Sequence, residues 1–206
     1  MLSEQHTQNL LSDVEKEIFE RDGFITLENV LGDDEIDRFT STVDDLYAQH
    51  LQAGFDPYAN APLSPEQSFF FPDILWRDQA FIDLLDHPRV FPKVLGILGW
   101  NIYCYHSHFI ATPPESVDFQ SGTPRDAFHQ DSGRASLDIE VRPAPRLTVK
   151  TVYWLSDVSQ PGRGNLVVIP GSQLRDPADL PAPGVVPKDA VSICAKPGDV
   201  MLFDRR

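Results

Sequence analysis

The chain has 206 residues, enough for one domain with a substantial core, and its 41% hydrophobic and 23% charged residues are typical of a globular protein. Acidic side chains outnumber basic ones by 31 to 17, giving a net charge of −14. This balance argues against a nucleic-acid or anionic membrane surface, because both need clustered lysine and arginine.

The two cysteines, Cys104 and Cys194, are too few for a disulfide framework. Their neighbours are typical of strands, so we predict that both are reduced and buried. The first nine residues lack the pattern of a signal peptide. The sequence also contains no run of 18 apolar residues, the length that would predict a membrane span. These features favour a cytoplasmic protein.

The first half of the chain predicts helices around one short strand. Apolar residues recur with helical spacing over Leu11–Arg21, and Phe24–Leu27 is typical of a strand. A second helix is predicted from Asp33 through Tyr47. Residues 54–72 are rich in proline and aromatic side chains, which predicts an irregular segment, and Phe81–Leu98 predicts a helix interrupted at its prolines.

The second half predicts strands separated by turns. Helices followed by short strands favour an all-β core, either a sandwich or a jelly roll, with the helices packed outside. We therefore expect a single domain over 1–206, with a helical part over about 1–98 and a strand core over about 99–206. The predicted strands are Ile102–Ile110, Leu147–Leu155, Leu166–Ile169, Val191–Ala195 and Val200–Phe203.

One short motif points to a metal. His129 and Asp131 are two residues apart, so in an extended strand both side chains lie on one face and reach one ion. They form two thirds of the 2-His-1-carboxylate triad that binds non-haem Fe(II). Such a pair also occurs by chance, as a surface histidine beside a solvated aspartate, so the motif needs further support.

Four ordered blocks supply that support, and together they resemble the phytanoyl-CoA dioxygenase-like branch of the Fe(II)/2-oxoglutarate oxygenases. The resemblance implies a double-stranded β-helix, also called a jelly roll or cupin-like fold, with N-terminal helices. It also implies Fe(II), the co-substrate 2-oxoglutarate and O₂. The blocks are Phe19–Ile36, His129–Asp131, Gly164–Ser172 and Pro197–Phe203.

The resemblance also assigns roles to individual residues. His129 and Asp131 match iron ligands, Gln130 and Tyr153 match positions near the 2-oxoglutarate, and His108 matches a position on the pocket wall. For His108, a core histidine bonded to backbone is an equally good interpretation.

The alternation of side chains along the predicted strand Leu147–Leu155 extends these assignments. Thr151 lies on the same face as Tyr153 and is a weaker candidate for contact with the co-substrate. Lys150 has the opposite parity, so we do not assign it to the co-substrate carboxylate.

In the family, a distal iron-binding histidine and an arginine for the co-substrate follow the strand after Pro197-Gly198-Asp199. By that register both fall beyond Arg206. We hypothesise that the chain is truncated before the last strands of a longer protein. The segments 55–71 and 132–146 are candidate lids, with ordinary surface loops as the alternative.

We expect a dioxygenase that hydroxylates or otherwise oxidises a small organic molecule at a C–H bond, with succinate and CO₂ as co-products. The absence of a lysine and arginine cluster does not favour a CoA thioester. One alternative is a non-catalytic binding or scaffolding module without a complete triad. Another is a cupin-like metalloenzyme that adds His106 and His108 to His129. The oligomeric state stays open.

Overall fold

The computed structural model describes residues 2–56, 69–111, 128–130, 141, 143–182 and 185–206. Five helices and seven strands lie in these ranges, together with short 3₁₀ turns. The helices are α1 Glu4–Thr7, α2 Asp13–Asp22, α3 Asp33–Gln52, α4 Gln79–Asp83 and α5 Phe91–Leu98. The strands are β1 Phe24–Leu27, β2 Phe69–Pro72, β3 His108–Ala111, β4 Val149–Tyr153, β5 Val167–Val168, β6 Val191–Ser192 and β7 Val200–Asp204.

The two predicted N-terminal helices are confirmed, and their boundaries follow from local chemistry. The Ser12 hydroxyl accepts a hydrogen bond from the Glu15 amide and begins α2. Gly23 ends this helix with a φ of 85°, a conformation that glycine adopts without steric cost. Helix α3 begins at Asp33 with acidic residues in its first turn, as predicted, and continues to Gln52.

The central sheet has three antiparallel strands in the order β1-β7-β4. In its register Phe24 lies opposite Phe203, and Phe203 lies opposite Lys150 on the other side. Strand β7 is therefore covered along both edges. Its residues Val200, Met201 and Leu202 have no exposed surface.

The alternation of side chains along these strands divides the interior into two cores. One face of the sheet packs under the helices in the helix-side core, whose members include Phe19, Ile25, Phe39, Phe81, Val200 and Leu202. The other face contributes to the inter-sheet core, which also takes residues from around the small β5-β6 sheet. Its members are Trp154, Val158, Ile193, Ala195 and Met201, with Phe24, Val152, Leu166, Val168 and Phe203 against them.

A second pair of strands, β2 and β3, corrects two predictions. The segment 54–72 is not irregular to its end, because Phe69–Pro72 forms β2 and pairs with β3. The predicted strand Ile102–Ile110 is shorter and later, since only His108–Ala111 is a strand. Phe69 and Phe71 are 2% exposed in the helix-side core, and their burial accounts for extended structure in this aromatic stretch.

Two further expectations are wrong in detail. Cys104 and Cys194 are free but exposed, because Cys104 precedes β3 and Cys194 points outward between the buried Ile193 and Ala195. The helix predicted over Phe81–Leu98 is interrupted between Asp83 and Phe91, as expected, but Pro92 does not cause the break. It lies in the first turn of α5, where its missing amide hydrogen costs no helical hydrogen bond.

The turn at Pro197-Gly198-Asp199 joins the N-terminal segment to the sheet. The Gly198 carbonyl accepts hydrogen bonds from the amides of Val30 and Leu31, and the Asp199 carboxylate accepts one from the Asn29 amide. A side chain at position 198 would meet the Leu31 carbonyl oxygen at 2.7 Å, and the φ of 88° independently favours glycine. This turn therefore positions the start of β7 against the loop after β1.

No helix in the described part of the chain has the length and apolar character needed to cross a bilayer.

Candidate active site

The His129-Gln130 dipeptide lies beside the turn that follows β5. The side-chain amide of Gln130 donates a long hydrogen bond of 3.5 Å to the Ser172 carbonyl oxygen. His129 is an exposed residue. Asp131, the second predicted iron ligand, lies outside the described residues.

The turn that Gln130 contacts is itself attached to the end of α2. Gly171 adopts a φ of 76°, and its amide donates a hydrogen bond of 2.9 Å to the Asp22 carbonyl oxygen. Two residues further along, Phe24 begins β1. The dipeptide is thus placed at the end of the central sheet where β1 begins and β7 ends.

His108 lies on β3, half-buried and on the face turned away from the helix-side core. Its neighbours Phe109 and Ala111 pack into that core, so His108 points to the other side. Its ring centroid is 5.0 Å from that of Phe70 and 4.7 Å from that of His106. This aromatic setting is compatible with a pocket wall, which stays a prediction.

Tyr153 and Thr151 share a face of β4, as their parity predicts, but it is the face towards the helices. Tyr153 packs against the helix-side core, and its hydroxyl donates a hydrogen bond of 3.3 Å to the Leu84 carbonyl oxygen. Burial, and more weakly the negative charge of Glu35, raise the pKa of the Tyr153 phenol above its usual range. Contact of Tyr153 or Thr151 with the co-substrate stays a prediction, and the proposed site does not depend on it.

Lys150 lies on the opposite face of β4 from Tyr153. Its neighbours on that face, Val152 and Trp154, belong to the inter-sheet core, and Phe203 lies opposite it on β7. The alternation of side chains along the sequence correctly predicted that Lys150 and Tyr153 lie on opposite faces of the strand. It did not show which of the two faces turns away from the helices.

A network of charged groups lies at the same end of the sheet. Arg146 donates from Nε to Asp204 at 2.7 Å and from both Nη atoms to Glu20, while Arg206 also donates to Asp204 at 2.7 Å. Burial opposes ionisation of Asp204, but hydrogen bonds from Arg206 and Arg146 outweigh it and lower its pKa. The hydrogen bond from Arg146 lowers the pKa of Glu20 as well, against a smaller opposing effect of burial. These ion pairs connect the residues just before β4 to helix α2 and to the end of β7.

Comparison with known proteins places the chain in a family. The sequence profile of the phytanoyl-CoA dioxygenase (PhyH) family matches residues 19–206, which is most of the chain. The chain belongs to the PhyH family.

One curated relative of this PhyH-family chain is the ectoine dioxygenase of Nocardia farcinica (strain IFM 10152). The two are 26% identical over 172 residues, which cover 83% of the present chain and 53% of the relative. The chain therefore spans about half the length of the curated relative it matches.

Solved structures show the same fold at low identity. HygX from Streptomyces hygroscopicus, with nickel and 2-oxoglutarate bound, aligns with a TM-score of 0.65 at 17% identity over 95% of this chain and 78% of HygX. EctD from S. alaskensis, with 2-oxoglutarate and 5-hydroxyectoine, aligns with a TM-score of 0.65 at 23% identity over 95% of this chain and 68% of EctD. The PhyH-family chain thus shares its fold with these two proteins, whose structures contain 2-oxoglutarate.

The described part of this PhyH-family chain holds one of the expected iron ligands. Within those ranges no three histidine, cysteine, aspartate or glutamate side chains gather as a metal site. The imidazole of His129 is a ligand type that suits iron, and the carboxylate expected beside it belongs to Asp131.

Sequence reasoning missed the Asp204 network. Asp204 lies four residues after Val200 and so has the parity of the buried positions Val200 and Leu202. Asp204 falls on the strand face whose other residues are buried, and Arg205 and Arg206 follow it directly. This pattern could have predicted a buried ion pair.

Proposed function

We propose that this chain is the core of an Fe(II)/2-oxoglutarate-dependent dioxygenase that hydroxylates or otherwise oxidises a small organic molecule at a C–H bond. Membership of the PhyH family over residues 19–206 carries the proposal. The position of His129-Gln130 beside the turn at Ser172 supports it, because this turn belongs to a second family-like block.

We infer a double-stranded β-helix as the fold behind this activity. The three-stranded sheet faces the β5-β6 pair across the inter-sheet core, and N-terminal helices cover its other face. Two antiparallel sheets enclosing a core are the basis of a jelly roll. Fold likeness to HygX and EctD supports the same assignment.

His129 and Asp131 are the residues proposed to hold the iron, through an imidazole nitrogen and a carboxylate oxygen. Bound iron with 2-oxoglutarate supplies the oxidation of a C–H bond by O₂, with succinate and CO₂ as co-products. Gln130 positions His129 by donating its side-chain amide to the Ser172 carbonyl oxygen. His108 is proposed to line the wall of the pocket, and the buried Trp154 excludes water from the space between the sheets.

A second candidate is a non-catalytic binding or scaffolding module that keeps the fold. The sequence leaves it open, because the family resemblance assigns iron ligands only to His129 and Asp131. A two-ligand site would hold Fe(II) weakly, since this ion is low in the affinity order of divalent metals.

Anaerobic titration of Fe(II) and 2-oxoglutarate into the complete protein distinguishes the two. We expect a weak visible charge-transfer band in the wild type, none in His129→Ala, and an unchanged band in the matched control His87→Ala. The control removes an imidazole from a half-buried position before α5. No band in the wild type would contradict the oxygenase and favour the binding module.

A further inference from the structure

Gln173 lies in the 3₁₀ turn that follows β5 and is almost completely buried. The residue is only 3% exposed, although glutamine is usually found at the surface. Its Nε2 atom donates hydrogen bonds to the carbonyl oxygens of Glu20 at 3.1 Å and Arg21 at 3.4 Å. These carbonyls belong to the last turn of α2, where backbone oxygens lack partners within the helix. Gln173 therefore joins the turn after β5 to the end of this helix.

The oxygen of the Gln173 amide indicates that stability alone does not account for this residue. Its Oε1 atom is buried, and no described residue donates a hydrogen bond to it. A buried acceptor without a partner costs free energy, which an apolar side chain at this position would avoid. A Cβ atom at Gly23 would meet Oε1 at 2.5 Å, so the amide also fills the space beside that glycine. The side chain is thus closely enclosed, with its donor directed at α2.

The turn that contains Gln173 supports the His129-Gln130 segment. The Gly171 amide donates to the Asp22 carbonyl oxygen at 2.9 Å, so the turn is attached to the end of α2 at a second point. The Ser172 carbonyl oxygen accepts the side-chain amide of Gln130. Hydrogen bonds at both ends, joined by the peptide bond between Ser172 and Gln173, therefore connect α2 to the residue beside His129.

We propose that Gln173 is a positioning residue for the iron ligand His129. This inference rests on the proposed function, in which His129 holds Fe(II). Gln173 fixes the Ser172 carbonyl relative to α2, and this carbonyl holds the side chain of Gln130. Gln130 in turn orients the adjacent imidazole. Groups behind a metal ligand set its orientation, and they change metal affinity without contacting the ion.

Fe(II) binding to the complete protein, measured anaerobically with 2-oxoglutarate by the charge-transfer band, tests this role. Gln173→Met keeps the length of the side chain but removes the donor, and we expect at least about threefold weaker Fe(II) binding. Gln79→Met is the matched control. It removes an exposed side-chain amide that donates to Asp83 within α4, and it should bind Fe(II) as the wild type does.

A second control separates positioning from lost stability. Glu15→Gln removes the ion pair between α2 and α5, so it should destabilise the fold and still bind Fe(II) with wild-type affinity. Each protein is titrated under conditions in which urea denaturation shows it to be fully folded. Lower stability by itself then leaves the measured affinity unchanged.

A double-mutant cycle tests whether Gln173 acts through Gln130. Gln130→Met removes the donor to the Ser172 carbonyl and so interrupts the connection. In that background, Gln173→Met should weaken Fe(II) binding no further. Equal fold-changes in the two backgrounds would overturn the proposal, as would wild-type affinity in Gln173→Met alone. Both outcomes leave the proposed function in place, whereas a wild type that binds no Fe(II) would overturn the proposed function and this inference with it.

Discussion

Asp204 closes the central strand β7 with a side chain that has no exposed surface. It accepts hydrogen bonds from Arg146 and Arg206, whose side chains are only 15% and 11% exposed. Removing one partner of a buried ion pair costs more than a surface pair does, because the remaining charges stay desolvated.

We expect Asp204→Asn to lower the free energy of unfolding by about 3 kcal/mol at neutral pH. Urea denaturation measures this change. Asp157→Asn, which removes the exposed partner of Arg163, is the control and should change stability little. Equal effects of the two substitutions would show that the Asp204 network does not stabilise the fold.

The same network predicts how stability depends on pH. The folded state lowers the pKa values of Asp204 and Glu20 below their ordinary 3.8 and 4.5, so their contribution is complete above about pH 5. It is lost as the pH falls through those ordinary values towards the lower folded ones. Urea denaturation from neutral pH to about pH 3 should therefore show the wild type losing its advantage over Asp204→Asn. A constant difference between them across this range would contradict the assignment.

At the scale of elements, Glu15 connects two helices. Its carboxylate accepts hydrogen bonds from the Ser12 amide at the start of α2 and lies 2.6 Å from the Lys93 ammonium of α5. Lys93 is 7% exposed, so its charge depends on this partner. Burial opposes ionisation of Glu15, but the hydrogen bonds from Lys93 and Ser12 outweigh it and lower its pKa.

Glu15→Gln should destabilise the protein by about 2 kcal/mol, because an amide cannot neutralise the buried ammonium. Thermal or urea unfolding measures the loss. Glu17→Gln, an exposed position on the same helix, should leave stability within about 0.5 kcal/mol of wild type. The α2–α5 contact would be unimportant if both variants unfolded alike.

Elements with strong local signals were predictable from sequence, and those defined by distant partners were not. Strand β1 has the predicted bounds Phe24–Leu27, and α3 begins at Asp33 as expected. Strand β2 was missed because its aromatic run becomes extended only by pairing with β3. Strand β3 was predicted six residues too early, since β-propensity does not reveal where a pairing partner ends.

For the whole molecule, β7 is the element that both cores share. Met201 points into the inter-sheet core and Leu202 into the helix-side core, although the two are adjacent and equally buried. Loss of packing on either face should therefore destabilise one cooperative unit.

Met201→Ala and Leu202→Ala should each lower the free energy of unfolding by about 3 kcal/mol. Far-UV circular dichroism reports the helices, and tryptophan fluorescence reports chiefly the buried Trp154, since Trp76 and Trp100 are 87% and 67% exposed. In both variants the two signals should change at the same urea concentration. Separate transitions would show that the cores unfold independently.

The sequence by itself determined the family, the order of helices before strands, and the His129-Gln130-Asp131 motif with its implied iron. These features depend on residue spacing along the chain, which is fully visible in one dimension. It also established that Lys150 and Tyr153 lie on opposite faces of one strand, because strand parity is local.

Only the tertiary structure decided which face is which. The helices pack over Tyr153, and the small β5-β6 sheet packs over the face that carries Lys150. Tertiary packing also brought Arg146, Asp204 and Glu20 together from distant parts of the chain. Burial and ion pairing of this kind depend on contacts between residues far apart in sequence, and local periodicity carries no information about them.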